Sequence, residues 1–147
     1  METKYYIAYG SNLNKAQMRR RCPDAEIAGT GFLDNSRLRF RRGVLDVAPE
    51  QGQRVPVAVW KVSASDERAL DVYEGFPRLY RKESLSIRMT DAKTGAKRTV
   101  GAFIYLMNRG EDSLPTAVYF HTCMQGYRDF GFSPDALWAA YNHCREV

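Results

Sequence analysis

Histidine and cysteine are scarce in this chain. Two histidines and three cysteines in 147 residues are too few and too scattered for a zinc site or a disulfide framework. Cys22, Cys123 and Cys144 form no C-x-x-C pair, although His121 lies two residues from Cys123 and His143 adjoins Cys144. Those neighbours read either as a catalytic Cys–His pair or as small buried thiols on helices, and we adopt the second reading. Long apolar runs are also missing, since no stretch approaches the roughly 18 apolar residues that a membrane span needs. The first residues, Met1, Glu2, Thr3 and Lys4, are polar and lead into only a short apolar run, which is not the form of a secretory signal. The expectation is a cytoplasmic protein that does not engage a membrane. Repeats, linkers and low-complexity tracts are absent, so residues 1–147 are expected to fold as one domain. The 44% of hydrophobic residues suffice for its core.

Acidic residues are outnumbered, 17 against 22 lysines and arginines, for a net charge of +5. Arg19, Arg20 and Arg21 run together, and Arg37, Arg39 and Arg41 alternate. Such clusters make a basic face for nucleic acid in some proteins. The plainer reading is a solvated helix end and the outer face of a strand, with some arginines drawing anionic small molecules toward a cleft. No nucleic-acid-binding motif accompanies the charge, so nucleic acid is not expected as a partner.

The pattern of residues predicts the elements. Residues 5–8 read as a short buried strand, and residues 14–21 as a helix stopped by Pro23. Residues 27–34 and 37–41 read as two strands joined by a tight turn at Asn35 and Ser36. Residues 44–48 continue extended, and residues 50–53 turn the chain back. Residues 55–62 are apolar at alternate and intervening positions alike, as in a central strand. A helix is predicted over 66–73, with Ser63 and Ser65 as competing caps and Ala69, Leu70 and Tyr73 on its inner face. Residues 79–89 and 97–106 form a hairpin about residues 91–95. Helices over 118–130, ended by Gly131, and over 134–145, capped by Ser133, close the chain; Leu137, Ala140, Tyr141 and Cys144 form the inner stripe of the last. Hairpins without regular βαβ alternation predict an α+β fold, its sheet mostly antiparallel and curling toward a partly closed barrel with flanking helices.

Two stretches carry candidate chemistry. Tyr9, Gly10, Ser11, Asn12 and Leu13 end a strand and enter a helix. Gly10 is free to take a positive φ and admits close backbone approach. The amides that follow are unpaired donors suited to an anion, a carboxylate or a developing oxyanion. A generic strand-to-helix junction would look the same. Further on, Glu74 falls at a helix end among aromatic neighbours. Burial and the helix dipole both disfavour its ionised form and raise its pKa toward the range useful for proton transfer. An exposed glutamate before a glycine cap is the alternative.

Together the segments "AYGSNL", "VAVWKV", "LDVYEGFPRLYR" and "FIYLM" resemble, in order, the gamma-glutamylcyclotransferase-like family, from Tyr5 to about Tyr127. The resemblance implies a compact α+β domain around a small, partly closed sheet. It implies a reaction in which the α-amine of a γ-glutamyl group attacks its own side-chain carbonyl, giving 5-oxoproline and releasing the attached amine or amino acid. Glu74 would then be the general acid/base. Ring closure is intramolecular, and well-oriented reactions of that kind gain roughly 7–11 kcal/mol. By the same resemblance the segment from Gly10 through Ser11 and Asn12 to Leu13 would hold the substrate carboxylate or the oxyanion, and Tyr9 would wall the pocket. Tyr80 and Tyr105 would line it, each phenol free to hydrogen-bond the glutamyl group. The partner implied is a small-molecule γ-glutamyl substrate, with no metal and no organic cofactor. A non-catalytic or regulatory binder of small carboxylates on the same fold is the competing reading.

Overall fold

The computed structural model describes residues 2–146. Five strands, β1 (Thr3–Ala8), β2 (Glu26–Arg41), β3 (Val44–Ser63), β4 (Tyr80–Asp91) and β5 (Lys97–Met107), close a barrel in the order β1-β3-β2-β4-β5. All neighbours are antiparallel except β1 and β5, which run parallel and meet at Tyr6 and Phe103. A 3-10 turn (Ser11–Leu13) and helix α1 (Lys15–Arg21) follow β1. Helix α2 (Ala64–Glu74) joins β3 to β4, and α3 (Ala117–Phe130) and α4 (Asp135–Glu146) follow β5. The α+β class and the curled sheet match the expectation from sequence; closure is complete rather than partial.

Local chemistry accounts for the elements that frame the site. In β3, Val55, Val57, Ala58, Val59, Trp60 and Val62 are all buried, because the strand lies between β1 and β2. At the start of α2 the Ser63 hydroxyl accepts from the Asp66 amide and the Asp66 carboxylate accepts from the Ser63 amide. That reciprocal pair satisfies two orphan donors and selects Ser63 over Ser65 as the cap. Helix α2 closes on Gly75, which takes a φ of 64°. The Gly75 amide donates to the Val72 carbonyl and the Phe76 amide to that of Asp71, the paired closure of a Schellman motif.

Two sequence expectations are corrected. Asn35 and Ser36 do not join separate strands, and residues 50–53 do not turn the chain back. Both lie inside the long β2–β3 ladder, where the register slips between Asp34/Arg54 and Ser36/Pro49. The four residues of β3 left over bulge opposite Asn35, whose φ is 51° and whose side-chain oxygen accepts from the Gly52 amide at 3.1 Å. The true reversal is the two-residue turn at Arg42 and Gly43, with φ of 56° and 76°. Two consecutive positive φ values twist a hairpin in the hand its strands require. Five long strands therefore replace seven shorter ones.

The barrel closes through a narrow seam. Strands β2 and β4 pair only over Gly29, Thr30 and Gly31 against Asp91, Thr90 and Met89. A Cβ on Gly29 would lie 2.4 Å from the Thr90 carbonyl oxygen, and one on Gly31 2.7 Å from that of Arg88. Both glycines are therefore required by the close approach of the two backbones.

The alternating arginines of β2 each face a carboxylate. Arg37 pairs with Glu50 at 3.5 Å, Arg39 with the buried Asp46 at 2.8 Å and Arg41 with Asp112 at 3.6 Å. Cys22, Cys123 and Cys144 are free and buried. Among the described residues no helix is long and apolar enough to cross a membrane.

Candidate active site

Strands β1 and β5 run parallel and finish at the same end of the barrel, where β4 begins. A cavity of about 270 Å³ opens there, lined by Tyr6, Tyr9, Gly10, Ser11, Asn12, Val44, Leu45, Tyr73, Glu74, Leu79, Tyr80, Tyr105 and Tyr119. The 3-10 turn and the last turn of α2, more than sixty residues apart in sequence, thus face one space. Glu74 shares the cavity with Tyr9, Gly10, Ser11, Asn12, Tyr80 and Tyr105.

Leu13 does not. Its side chain is fully buried in the core, and its amide is committed to the Gly10 carbonyl at 3.0 Å. The donors left over are the amides of Ser11 and Asn12, for which no acceptor exists among the described residues. Gly10 also departs from expectation, since its φ is −133° rather than positive. Its lack of a side chain matters for space. A Cβ would sit 3.3 Å from Leu45 Cδ1 and 3.5 Å from the Tyr119 hydroxyl, narrowing the cavity at the turn.

Glu74 is partly buried and, among the described residues, makes no hydrogen bond and no ion pair. Helix geometry explains its isolation. Glu67, Asp71 and Glu74 recur at i, i+4 and i+7 along one face of α2. Lys82 reaches from β4 to bond Glu67 at 2.7 Å and Asp71 at 2.9 Å, so the third carboxylate is left over. Burial pushes the Glu74 carboxyl up from its ordinary 4.5 to about 7, against a smaller pull downward from the Arg21 charge. A group held near neutrality can both take and return a proton.

The tyrosines are mostly committed as donors. Tyr9 donates to the Tyr105 carbonyl at 2.7 Å, Tyr80 to the Leu45 carbonyl at 2.8 Å, and Tyr105 to the Asp71 carboxylate at 2.7 Å. Their oxygens can still accept, so toward a ligand these three phenols complement a cation, not a carbonyl. Tyr6 is the opposite case. Arg21 donates to Asn12 Oδ1, and because a guanidinium only donates, this fixes the amide's orientation. Asn12 Nδ2 then donates to the Tyr6 oxygen at 2.9 Å, leaving the Tyr6 proton free. Acceptors at Glu74, Tyr9, Tyr80 and Tyr105 and donors at Ser11, Asn12 and Tyr6 give the cavity a dipolar character. Burial raises the pKa of Tyr6, Tyr9, Tyr80 and Tyr105, first by desolvation, so each phenol stays neutral at physiological pH.

Tyr6, Tyr73, Tyr119, Val44, Leu45, Leu79 and the neighbouring Arg21 escape the sequence reading. Tyr73 was legible as the residue before Glu74, but helical spacing assigns it to the core stripe, whereas it is substantially exposed and hydrogen-bonded to the Ser11 hydroxyl at 2.8 Å. Val44, Leu45 and Tyr119 arrive through the hairpin and through α3, and no local pattern announces them.

A family model described as gamma-glutamyl cyclotransferase, AIG2-like matches residues 6–121. By structure the chain resembles a protein described as gamma-glutamyl cyclotransferase, at a TM-score of 0.79 and 21% identity, covering 99% of this chain and 88% of that one. It resembles an uncharacterized protein from Homo sapiens at a TM-score of 0.75 and 21% identity, covering 100% and 89% respectively. A yeast gamma-glutamyl cyclotransferase specific to glutathione aligns at a TM-score of 0.58 and 10% identity, covering 99% and 97%. At these identities the likeness is one of fold. No curated protein matches the sequence.

Proposed function

Because the chain belongs to the gamma-glutamyl cyclotransferase, AIG2-like family, we propose that it cyclises a γ-glutamyl group to 5-oxoproline in the cytoplasm. The observation that carries this reading is the unpaired Glu74 carboxyl, held near neutrality in the cavity that the Ser11 and Asn12 residues also line.

In this reading the substrate's α-ammonium sits among the acceptors, near Glu74 and the phenol oxygens of Tyr9, Tyr80 and Tyr105. Its α-carboxylate or side-chain carbonyl meets the Ser11 and Asn12 amides and the Tyr6 hydroxyl. Glu74 removes a proton from the ammonium, and the freed amine nitrogen attacks the side-chain carbonyl carbon. The new C–N bond closes a five-membered ring, and the carbonyl oxygen gains charge that the donors stabilise. Collapse of this intermediate breaks the bond to the original amide nitrogen as Glu74 returns its proton to that leaving group. The ring nitrogen sheds its second proton, which the departing amine takes up as it becomes an ammonium. Both protons lost by the substrate ammonium are thus accounted for, and the Glu74 carboxylate ends as it began. A cavity of this size folds the glutamyl portion toward ring closure, which is where an intramolecular reaction gains most.

The reading is tested by incubating Glu74→Gln with a panel of γ-glutamyl amino acids and amines and assaying 5-oxoproline. Folded Glu74→Gln is expected to lose about 10²–10⁴-fold in rate. Release at the parent rate would remove Glu74 from the mechanism. Tight binding by the parent protein with no turnover would leave the site a carboxylate binder instead.

A further inference from the structure

Arg21 does not line the cavity, yet it touches both halves of its wall. From the last turn of α1 its guanidinium donates through Nη1 to Asn12 Oδ1 and through Nη2 to Gln17 Oε1 at 3.1 Å. Its Cζ lies 3.5 Å from the centroid of the Tyr73 ring, in stacking range. The Tyr73 hydroxyl meets the Ser11 hydroxyl at 2.8 Å. The contacts close a ring that runs from Arg21 to Asn12, along the backbone to Ser11, across to Tyr73 and back to Arg21. The ring joins the 3-10 turn to α2 one residue before Glu74. The Trp60 indole fixes the same turn from outside by donating to the Asn12 carbonyl at 3.1 Å.

We propose that Arg21 is a positioning residue of this site, clamping the Ser11–Asn12 amides onto the end of α2 and setting the field that Glu74 experiences. The catalytic consequence rests on the cyclisation reading, whereas the clamp itself does not. A guanidinium suits the task because one planar group forks to two acceptors and stacks on a ring at once, which an ammonium cannot do. The groups facing Glu74 single out Arg21 electrostatically as well. Tyr6 from β1, Tyr9 just beyond it, Tyr80 from β4, Tyr105 from β5 and Tyr119 from α3 share its cavity as phenols that burial keeps neutral at physiological pH, and Tyr73 from α2 lines it as well. Asp71 and Lys82 neutralise each other beyond the Tyr105 hydroxyl, and Asp46 is paired with Arg39. Arg21 is the charge that bears on the Glu74 carboxyl.

The test uses the full chain with ¹³C-labelled glutamate, comparing parent, Arg21→Met and Arg21→Lys. In Arg21→Met the Glu74 titration midpoint is expected to rise by about one pH unit, as when a nearby opposite charge is removed. In Arg21→Lys the charge remains and the midpoint is expected to return close to the parent value. Both variants lose the fork and the stack. The Leu13 and Asn14 amides, bonded to the Gly10 and Ser11 carbonyls at 3.0 Å, should then exchange roughly tenfold faster, with α4 unaffected. Should Arg21→Met fail to fold, Arg21→Lys decides through the exchange of those two amides. An unchanged midpoint in folded Arg21→Met, or parent-like exchange at Leu13 and Asn14 in Arg21→Lys, would overturn the proposal. If the parent released no 5-oxoproline, the cyclisation reading would fall while titration and exchange still judged the clamp.

Discussion

Glu74 is asked to be buried enough to hold a proton near neutrality and open enough to meet a ligand. The first demand costs stability in a definite pH window. Its folded pKa of about 7 exceeds its ordinary 4.5, so between those values the folded protein binds the extra proton. Stability is then full below about pH 4.5 and is lost as pH rises through 7. Glu74→Gln removes the charge that the fold resists. Urea unfolding is expected to show this variant more stable than the parent at pH 8, by on the order of 2–3 kcal/mol after allowance for solvent at the cavity. The gap should close toward pH 4.5, and a parent as stable as the variant at pH 8 would mean that the carboxylate is adequately solvated. The position of Glu74 at a helix end before Gly75 was legible in the sequence. Its isolation was not, because that depends on Lys82 arriving from β4 and Lys4 from β1 to pair with the other two carboxylates of the same face.

Elements carry the site's geometry, and helix α3 meets the 3-10 turn at Gly126. This residue brings α3 against the 3-10 turn so closely that a Cβ would lie 2.6 Å from the Leu13 carbonyl carbon and 2.7 Å from the Asn14 nitrogen. Alanine ordinarily stabilises a helix interior over glycine by about 1 kcal/mol. Here the clash is with backbone and cannot be relieved by a rotamer, so Gly126→Ala is expected to destabilise by about 1–3 kcal/mol. It should also raise KM for any substrate held by the Ser11 and Asn12 amides. Gln125→Ala, on the exposed face of the same helix, is the control, and equal effects of the two on KM would show that the turn is indifferent to α3. Helix ends were the most legible elements, since Ser63, Gly75 and Gly131 act through local hydrogen bonds. Strand number was less so. Asn35 and Gly52 mark bends correctly, but only the partner strand decides whether a bend ends a ladder or bulges within it. The turn at Arg42 and Gly43 was hidden because an arginine with positive φ has no sequence signature.

For the whole molecule, barrel closure is what brings the end of β1 beside β5 and β4, and closure depends on the three-residue seam at Gly29, Thr30 and Gly31. Gly29→Val is expected to open it, since backbone oxygen stands where the side chain must go. Native-state hydrogen exchange would read this as lost protection at residues 89–91, with the β4–β5 hairpin amides retained. Uniform protection would show that the seam adapts. The α+β class and the curling of the sheet were legible from the succession of hairpins. Complete closure was not, because the β1–β5 contact is parallel and joins chain segments nearly a hundred residues apart.

The tie between Trp60 and the Asn12 carbonyl has an optical consequence. The protein has two tryptophans. Trp138 is 44% exposed on α4, whereas Trp60 is buried and bonded to the turn that borders the cavity. An indole's emission follows the polarity and hydrogen bonding of its surroundings, and a soluble quencher reaches only the exposed ring. With Trp138 silenced in this way, the remaining fluorescence comes from a chromophore anchored to Asn12, so the fold carries its own reporter of events at the site.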